Sequence, residues 1–374
     1  MTPVGVGIIG CGSISGTYLT AARMFPILDL RGVADINKQA AEARGREFGI
    51  RPLSVTELIL DPQVEIVVNL TVPAAHFAVS QQVIEAGKHV YSEKPLAIDI
   101  DDAAKLLASA KKQQVRIGCA PDTFLGGAHQ TVRNLIDEGF IGEPIAATAF
   151  YMGPGHERWH PNPGFFYRRG AGPMLDMGPY YVTSLVNLLG PVKRVAGMTS
   201  RRRPERLVES EPLKGERIPV EVDTHVTGTL EFVSGAIATV AMSFDVAHHG
   251  HRPIEIYGTG GAISVPDPDT FGGQIETATT TSNKWQPITT VRAYADGNFR
   301  IIGVADMAHG LRSNRPHRAS GELAFHVLEV MTAFQHSSHS GSYVEVQSRP
   351  ERPAAFSTDL SNEVSTNLHG GSNA

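Results

Sequence analysis

An apolar run, Val4-Gly5-Val6-Gly7-Ile8-Ile9, leads straight into Gly10-Cys11-Gly12-Ser13-Ile14-Ser15, and the next apolar run, Leu28 to Ala34, is closed by Asp35. A buried strand, a glycine turn, a helix start and a carboxylate after a second strand describe a socket for a dinucleotide. Each part has its own task. Gly10 permits the tight turn, and Gly12 lets the backbone approach a pyrophosphate. Ser13 and Ile14 open a helix whose free N–H groups and positive dipole end face the phosphates. The third fingerprint position is Ser15, small enough for close helix–strand packing, with Gly16 behind it.

Asp35 bears on the choice of coenzyme. A carboxylate accepts hydrogen bonds from a ribose 2′-hydroxyl and repels a 2′-phosphate, so NAD is expected ahead of NADP. Asn37 follows, and no arginine stands beside Asp35 to receive a phosphate; Lys38 leaves NADP as the second choice.

The chain of 374 residues is long enough for two domains, and 41% hydrophobic with 19% charged residues is ordinary for a globular protein. A net charge of −5 gives no basic field for nucleic acid, and Arg201-Arg202-Arg203 reads as a solvated loop. No apolar stretch has membrane-spanning length. Cys11 and Cys119 lie inside apolar runs, as buried thiols of a reducing compartment do. The first strand begins almost at once, without the pattern of a secretion signal, so the expected location is cytoplasmic.

Strands at 4–9, 28–34, 66–70, 89–92 and 116–119 alternate with helices at 13–24, 38–48, 74–86 and 100–113, with a short extra helix at 55–60. The strands are near-continuous apolar runs, as in a parallel sheet covered on both faces, so residues 1–122 read as a doubly wound Rossmann domain. After a helix at 128–138 the pattern changes to strands with hairpin spacing, at 145–151, 192–199, 222–232, 236–244, 254–258 and 262–265. A helix over 174–189 and two late helices, 302–312 and 321–335, are expected to pack on this sheet. Residues 123–349 thus read as an α+β domain on a large, mostly antiparallel open sheet. Residues 350–374, rich in Pro, Ser, Asn and Gly, read as a tail.

The segments GIIGCGSIS, VADIN at Asp35, NLTVPAAH at Asn69–His76, AGKHVYSEKPLA at Ala86–Ala97 and GPMLDMGPYYVTSLVNLLG at Gly172–Gly190 resemble the glucose–fructose oxidoreductase / inositol dehydrogenase / MocA family. The resemblance covers both domains. It implies an NAD-dependent oxidoreductase moving a hydride between nicotinamide and a secondary hydroxyl or ketone of a sugar, glycoside or cyclitol. It also implies a homodimer or homotetramer formed through the open sheet face, a coenzyme lined by Thr71, Pro73, His76 and Glu93, a catalytic Lys94, and a cis Lys94–Pro95 bond.

Lys94 follows a strand at the carboxyl edge of a parallel sheet, where ligands bind. An ammonium there can hold the reacting hydroxyl and stabilise the charge that grows on its oxygen. Asp176 and Tyr180 stand four apart at an expected helix start, hence on one face. The family pattern is D-x-G-x-H; here Asp176 matches and Tyr180 replaces the histidine, which leaves three candidates for the base. Tyr180 stands first, on condition that Lys94 lowers its pKa; Lys94 itself, made less basic by burial, and His160 are the others. In the polar and aromatic loop 155–161, Trp159 is suited to stack on a sugar face while His156 and His160 bond its rim. Asp122, just past the strand at 116–119, completes the expected substrate contacts. His248, His249 and His251 lack metal-ligand spacing, so no metal is expected. Nor is there a G-x-S-x-G elbow.

Two rival readings remain. One is an NAD-retaining lyase or glycosidase that oxidises the sugar transiently; the other is a non-enzymatic NAD-binding protein, against which Lys94 and Asp176 both speak.

Overall fold

The structure, a computed structural model, describes residues 1–356 apart from Val291 and the side chain of Asn283. The amino-terminal part alternates β1 (Val4–Ile9), α1 (Ser13–Ala22), β2 (Leu28–Ala34), α2 (Lys38–Phe48), β3 (Pro52–Leu53), α3 (Val55–Leu60), β4 (Ile66–Asn69), α4 (Pro73–Glu85), β5 (His89–Ser92), α5 (Ile100–Gln113) and β6 (Ile117–Cys119). These strands are parallel in the order β3-β2-β1-β4-β5-β6. The order reverses between β1 and β4, and the crevice beyond their carboxyl ends is the ligand position of such sheets. β1 and β4 are buried along their whole length, which is why they read as unbroken apolar runs. Helix starts are set locally. Asn37 accepts from the N–H groups of Gln39 and Ala40, Ser54 and Glu57 form a capping box, and Pro73 opens α4.

The second part contains α6 (Gly127–Asp137), β7 (Pro144–Met152), α7 (Pro173–Asp176), α8 (Gly178–Leu189), β8 (Val192–Ser200), β9 (Glu205–Leu207), β10 (Arg217–Pro219), β11 (His225–Phe232), β12 (Ile237–Ser243), β13 (Ile254–Gly258), β14 (Gly261–Val265), β15 (Ile275–Thr279), β16 (Ser282–Ile288), α9 (Ile302–Ser313), α10 (Gly321–Ser340) and β17 (Val344–Glu345). Nine strands form one sheet, β16-β15-β14-β13-β7-β12-β11-β8-β17, in which only β7 and β12 run parallel. β9 and β10 make a separate ribbon. α8 is buried at every residue, packed between α6 and α10, and α10 lies along β8.

The architecture agrees with a Rossmann domain plus a mostly antiparallel sheet, and differs from the sequence reading in four places. The helix expected over 174–189 is broken at Met177 into α7 and α8, because Pro179 has no N–H to continue the ladder. Asp176 ends α7 and Tyr180 stands in the first turn of α8, and both side chains meet Lys94. The sheet continues through β15 and β16, whose threonine-rich alternation hid them: Ile275 and Thr277 point inward while their neighbours are partly exposed. α9 packs on the first sheet, not the second, with Arg312 reaching Glu65 at 2.6 Å and the carbonyls of Thr2 and Pro3 at 2.9 and 3.0 Å. Finally, residues 350–356 are a tethered strap. Arg133 and Arg318 donate to the carbonyls of Pro353, Ala354 and Ala355, and Phe356 is buried. The remainder of the expected tail, 357–374, lies outside the described residues.

Candidate active site

The coenzyme end is set by backbone shape. Gly10 has φ +105°, and a Cβ there would lie 2.6 Å from the Leu70 carbonyl, so only glycine fits. At Gly12 the space beside the backbone is open, as a pyrophosphate approach requires. No side chain caps the start of α1, and no acidic residue sits in its first turn, so the N–H groups around Ser13 and Ile14 are left for an anion. Asp35 accepts from Cys11 N–H at 2.7 Å and from Asn37 N–H at 2.8 Å, which holds its carboxylate at the end of β2. These features fit a nicotinamide dinucleotide: phosphates at α1, adenosine ribose at Asp35.

The loop after β4 carries Thr71, whose hydroxyl donates to Asn69 Oδ1 at 2.6 Å, and Pro73. The His76 ring lies between this loop and the next, with Nδ1 at 2.7 Å from Pro95 O and Nε2 at 3.0 Å from Thr71 O. Burial lowers its pKa against the opposing pull of the two carbonyls, and in its neutral form the ring donates to only one of them. Glu93 is likewise an anchor. Its carboxylate accepts from Tyr18 of α1 at 2.7 Å and from the Lys94 N–H at 2.9 Å. The Lys94–Pro95 bond is cis.

Lys94 Nζ donates to Asp176 Oδ1 at 2.8 Å and to Asp176 O at 2.7 Å. The other carboxylate oxygen, Oδ2, lies 2.9 Å from His156 Nε2. Burial alone would lower the Lys94 pKa, but Asp176, Tyr180 and Glu93 outweigh it and hold the group above its ordinary range. Asp176 is the mirror case. Burial would raise it, yet Lys94 and His156 keep it well below the usual carboxylate range. The centre is thus an ammonium, a carboxylate and an imidazole in a row.

This row changes the expectations for the base. Lys94 is held charged, so burial does not make it a free amine. Tyr180 presents its ring face to Lys94, 5.1 Å from Nζ, and its pKa is pushed up to about 12 because burial overrides the lowering effect of the ammonium. His160 has no hydrogen bond to Lys94 or Asp176 among the described residues: its Nδ1 accepts from Asn162 N–H at 3.0 Å and its ring packs against Phe165 and Phe166. The imidazole that meets Asp176 is His156, which was expected only at the substrate rim. Asp122 serves the backbone that leads into α9. It is 1% exposed, and its Oδ2 accepts from Ile301 and Gly303 N–H, both at 3.0 Å, pinning the start of α9. Trp159 is 62% exposed and edge-on to the His156 ring.

The loop bearing His156 rests on a buried ionic knot. Tyr167 Oη accepts from the His156 N–H at 3.2 Å and donates to Glu157, which pairs with Arg206 at 3.0 Å; Arg206 also pairs with Asp245. Two further site residues escaped sequence reading. Arg300 pairs with Asp269 and sends Nη2 toward Tyr180 Oη at 3.5 Å. Nothing near either in sequence marks them, since the contact with Tyr180 spans 120 residues. Among the described residues no cluster of three metal-ligating side chains occurs, and no helix is long and apolar enough to cross a membrane.

The chain is similar to known proteins over both of its parts. The model for the NAD-binding Rossmann fold of the oxidoreductase family matches residues 4–120, and the GFO/IDH/MocA C-terminal domain model matches residues 129–264. The chain belongs to the GFO/IDH/MocA family of NAD-binding oxidoreductases. It is 28% identical over 264 residues to 1,5-anhydro-D-fructose reductase of Ensifer adhaerens, covering 69% of this chain and 74% of that one. It is 26% identical over 290 residues to levoglucosan dehydrogenase of Pseudarthrobacter phenanthrenivorans, covering 70% and 73%. A solved levoglucosan dehydrogenase in complex with NADH and levoglucosan has the same fold, with a TM-score of 0.79 and 22% identity over 92% of this chain and 100% of that one.

Proposed function

We propose that the protein is an NAD-dependent dehydrogenase that oxidises a secondary hydroxyl of a sugar or polyol, or reduces the corresponding ketone. The observation that carries this is the row Lys94–Asp176–His156, with contacts of 2.8 and 2.9 Å, at the carboxyl edge of the coenzyme sheet. The names of the relatives, a reductase and a dehydrogenase each acting on a sugar, support the substrate class.

Bound NAD supplies the hydride acceptor; the residues handle the oxygen and its proton. The Lys94 ammonium donates to the reacting oxygen and stabilises its developing charge in a site sheltered from water. Asp176, an anion, keeps Lys94 protonated and accepts from His156 Nε2–H. That assigns the imidazole proton to Nε2 and leaves the lone pair on Nδ1, which has no hydrogen-bond partner among the described residues. His156 Nδ1 is then the acceptor for the alcohol proton. Tyr180 holds the ammonium against its ring face and excludes water. Trp159 and Phe165, both exposed on the loop, offer a wall for the C–H face of a ring.

The assembly we infer is a homodimer or homotetramer through the open face of the large sheet, where Met198 and Ile237 stand exposed on β8 and β12. Two free, buried cysteines accord with a cytoplasmic location. The deciding experiment is a panel of aldoses, anhydro sugars, inositols and glycosides, followed by NADH absorbance with NAD and NADP in parallel. Net NADH formation from a free sugar or polyol, faster with NAD, is the expected result. Turnover of glycosides with no net NADH would replace this reading with the lyase or glycosidase. Tight NAD binding without any turnover would leave only a binding protein.

A further inference from the structure

Arg206 is a buried cation, with 1% of its side chain exposed, supplied by a ribbon that pairs with neither large sheet. Its Nη2 pairs with Asp245, and its Nη1 donates to Glu157 Oε1 at 3.0 Å and to Phe244 O at 3.2 Å. Its Nε is sealed from solvent with no partner among the described residues. Replacing a buried ion pair by apolar side chains is often neutral or stabilising. Stability alone is thus a poor reason for an arginine at this position.

The arginine stands between a fixed support and the loop that carries His156. The support is Asp245, just past β12: its carboxylate accepts from Thr224 Oγ1 at 2.6 Å, and its N–H donates to Ser243 Oγ at 3.1 Å. On the other side the loop folds round the Glu157 carboxylate. Gly155 has φ +107°, and a Cβ there would collide with Glu157 Oε2 and lie 2.6 Å from Tyr167 Oη. Glu157 accepts from that tyrosine hydroxyl, which accepts in turn from the His156 N–H at 3.2 Å. Beyond the ribbon strand that bears Arg206, the Glu209 N–H and Ser210 Oγ donate to the carbonyls of Glu157 and His160 at 2.8 and 2.6 Å. Phe244, whose carbonyl Arg206 holds, packs its ring on the His156 imidazole at 4.6 Å between centroids. One guanidinium therefore ties both the backbone of His156 and a ring against its imidazole to the end of β12. Such a tie matters because misplacing a reacting group by about 1 Å can cost about 10²-fold in rate.

We propose that Arg206 is a positioning residue for His156: through Glu157 and Tyr167 it fixes the loop backbone, and through the Phe244 carbonyl it holds one wall of the imidazole. This rests on the dehydrogenase reading of the same site, in which His156 takes the alcohol proton, and adds the ribbon β9–β10 to the parts that reading needs.

The test is a double-mutant cycle with His156→Asn, run on the sugar or polyol that yields NADH fastest. R206K keeps the charge and loses the planar fork. Y167F keeps the ring beneath the guanidinium, 5.3 Å from Arg206 Cζ, and removes the hydroxyl; it decides the matter if R206K does not fold. Each is expected to lower kcat at least about tenfold, with KM changed less than about threefold and NAD affinity unaltered. In the His156→Asn background neither is expected to lower kcat further, because a residue that acts through the imidazole has nothing left to act on. Losses that add in full, or single variants with the wild-type kcat, overturn the proposal. A second readout needs no turnover: the ring resonance of His156 in protein labelled with carbon-enriched histidine, assigned by its absence in His156→Asn. It is expected to shift in R206K and Y167F while the histidines away from the loop keep their positions. An unmoved His156 resonance, or a shift shared by all the histidines, also overturns the proposal. If no substrate yields NADH with the wild type, the dehydrogenase reading fails, and the resonance still decides whether Arg206 positions the imidazole.

Discussion

Asp176 and His156 meet through Oδ2 and Nε2 at 2.9 Å, although twenty residues separate them and they belong to different elements. The carboxylate is shared. Its other oxygen holds Lys94, so one buried anion sets both the charge of an ammonium and the tautomer of an imidazole.

Lys94→Ala is expected to lower kcat by about 10³-fold, the cost of removing a preorganised donor from the reacting oxygen. The dissociation constant for NAD, read by fluorescence quenching, is expected to change little. Stability falls by about 3 kcal/mol because Asp176 loses the stronger of its two partners in a buried setting. Urea unfolding checks this, and Asp176→Asn added to Lys94→Ala is expected to restore part of the loss. Unaltered turnover in the single variant would remove Lys94 from the mechanism.

His156→Asn is expected to reduce kcat by about 10²- to 10⁴-fold, the range for loss of a positioned base. Added imidazole or raised pH recovers part of the rate. Tyr180→Phe keeps the ring face against Lys94 and is expected to lose less than about tenfold. A larger loss in Tyr180→Phe than in His156→Asn would return the role of base to the tyrosine.

Asp122 gives a pH signature. Burial pushes its pKa up to about 6 from 3.8, while the Gly303 and Ile301 N–H groups and Arg300 oppose the shift. Between those two values the folded state holds the proton that the unfolded chain has released. Stability therefore falls as pH rises from about 4 to about 6 and stays reduced above that. Asp122→Asn keeps an acceptor for the two N–H groups and removes the titration. The stability of this variant relative to wild type is expected to grow by about 2–3 kcal/mol across that window. Melting curves at pH 4, 5, 6 and 7 check the sign; a difference independent of pH would show that Asp122 is ionised throughout.

Met198→Glu places a charge on the open face of the large sheet, opposite Thr227 of β11. Sedimentation velocity is expected to show wild type as a dimer or tetramer and the variant shifted to monomer at micromolar concentration. An identical distribution for both would place the interface elsewhere.

The coenzyme domain was legible because its signals are local. Gly10, Gly12 and the uncapped start of α1 lie within a few residues of each other, and Asp35 acts at the end of its own strand. The Lys94 loop was legible for the same reason. The second domain was readable in outline, but β15 and β16 were lost because Thr277 is buried like an apolar residue. Asp122 looked like a site residue from its position after β6; its carboxylate is spent on backbone 179 and 181 residues away.

What the chain order determined by itself was the class of protein: a dinucleotide socket, an ammonium at the sheet edge and an aspartate to face it. The tertiary structure alone decided which imidazole meets Asp176 and which cation approaches Tyr180. Acidity depends on desolvation and on neighbours brought in from elsewhere. Pro179 breaks the helix between Asp176 and Tyr180, burial keeps the tyrosine protonated, and folding delivers His156 and Arg300 from distant segments. None of these effects has a short-range trace, because each arises from contacts that exist only once the chain has closed on itself.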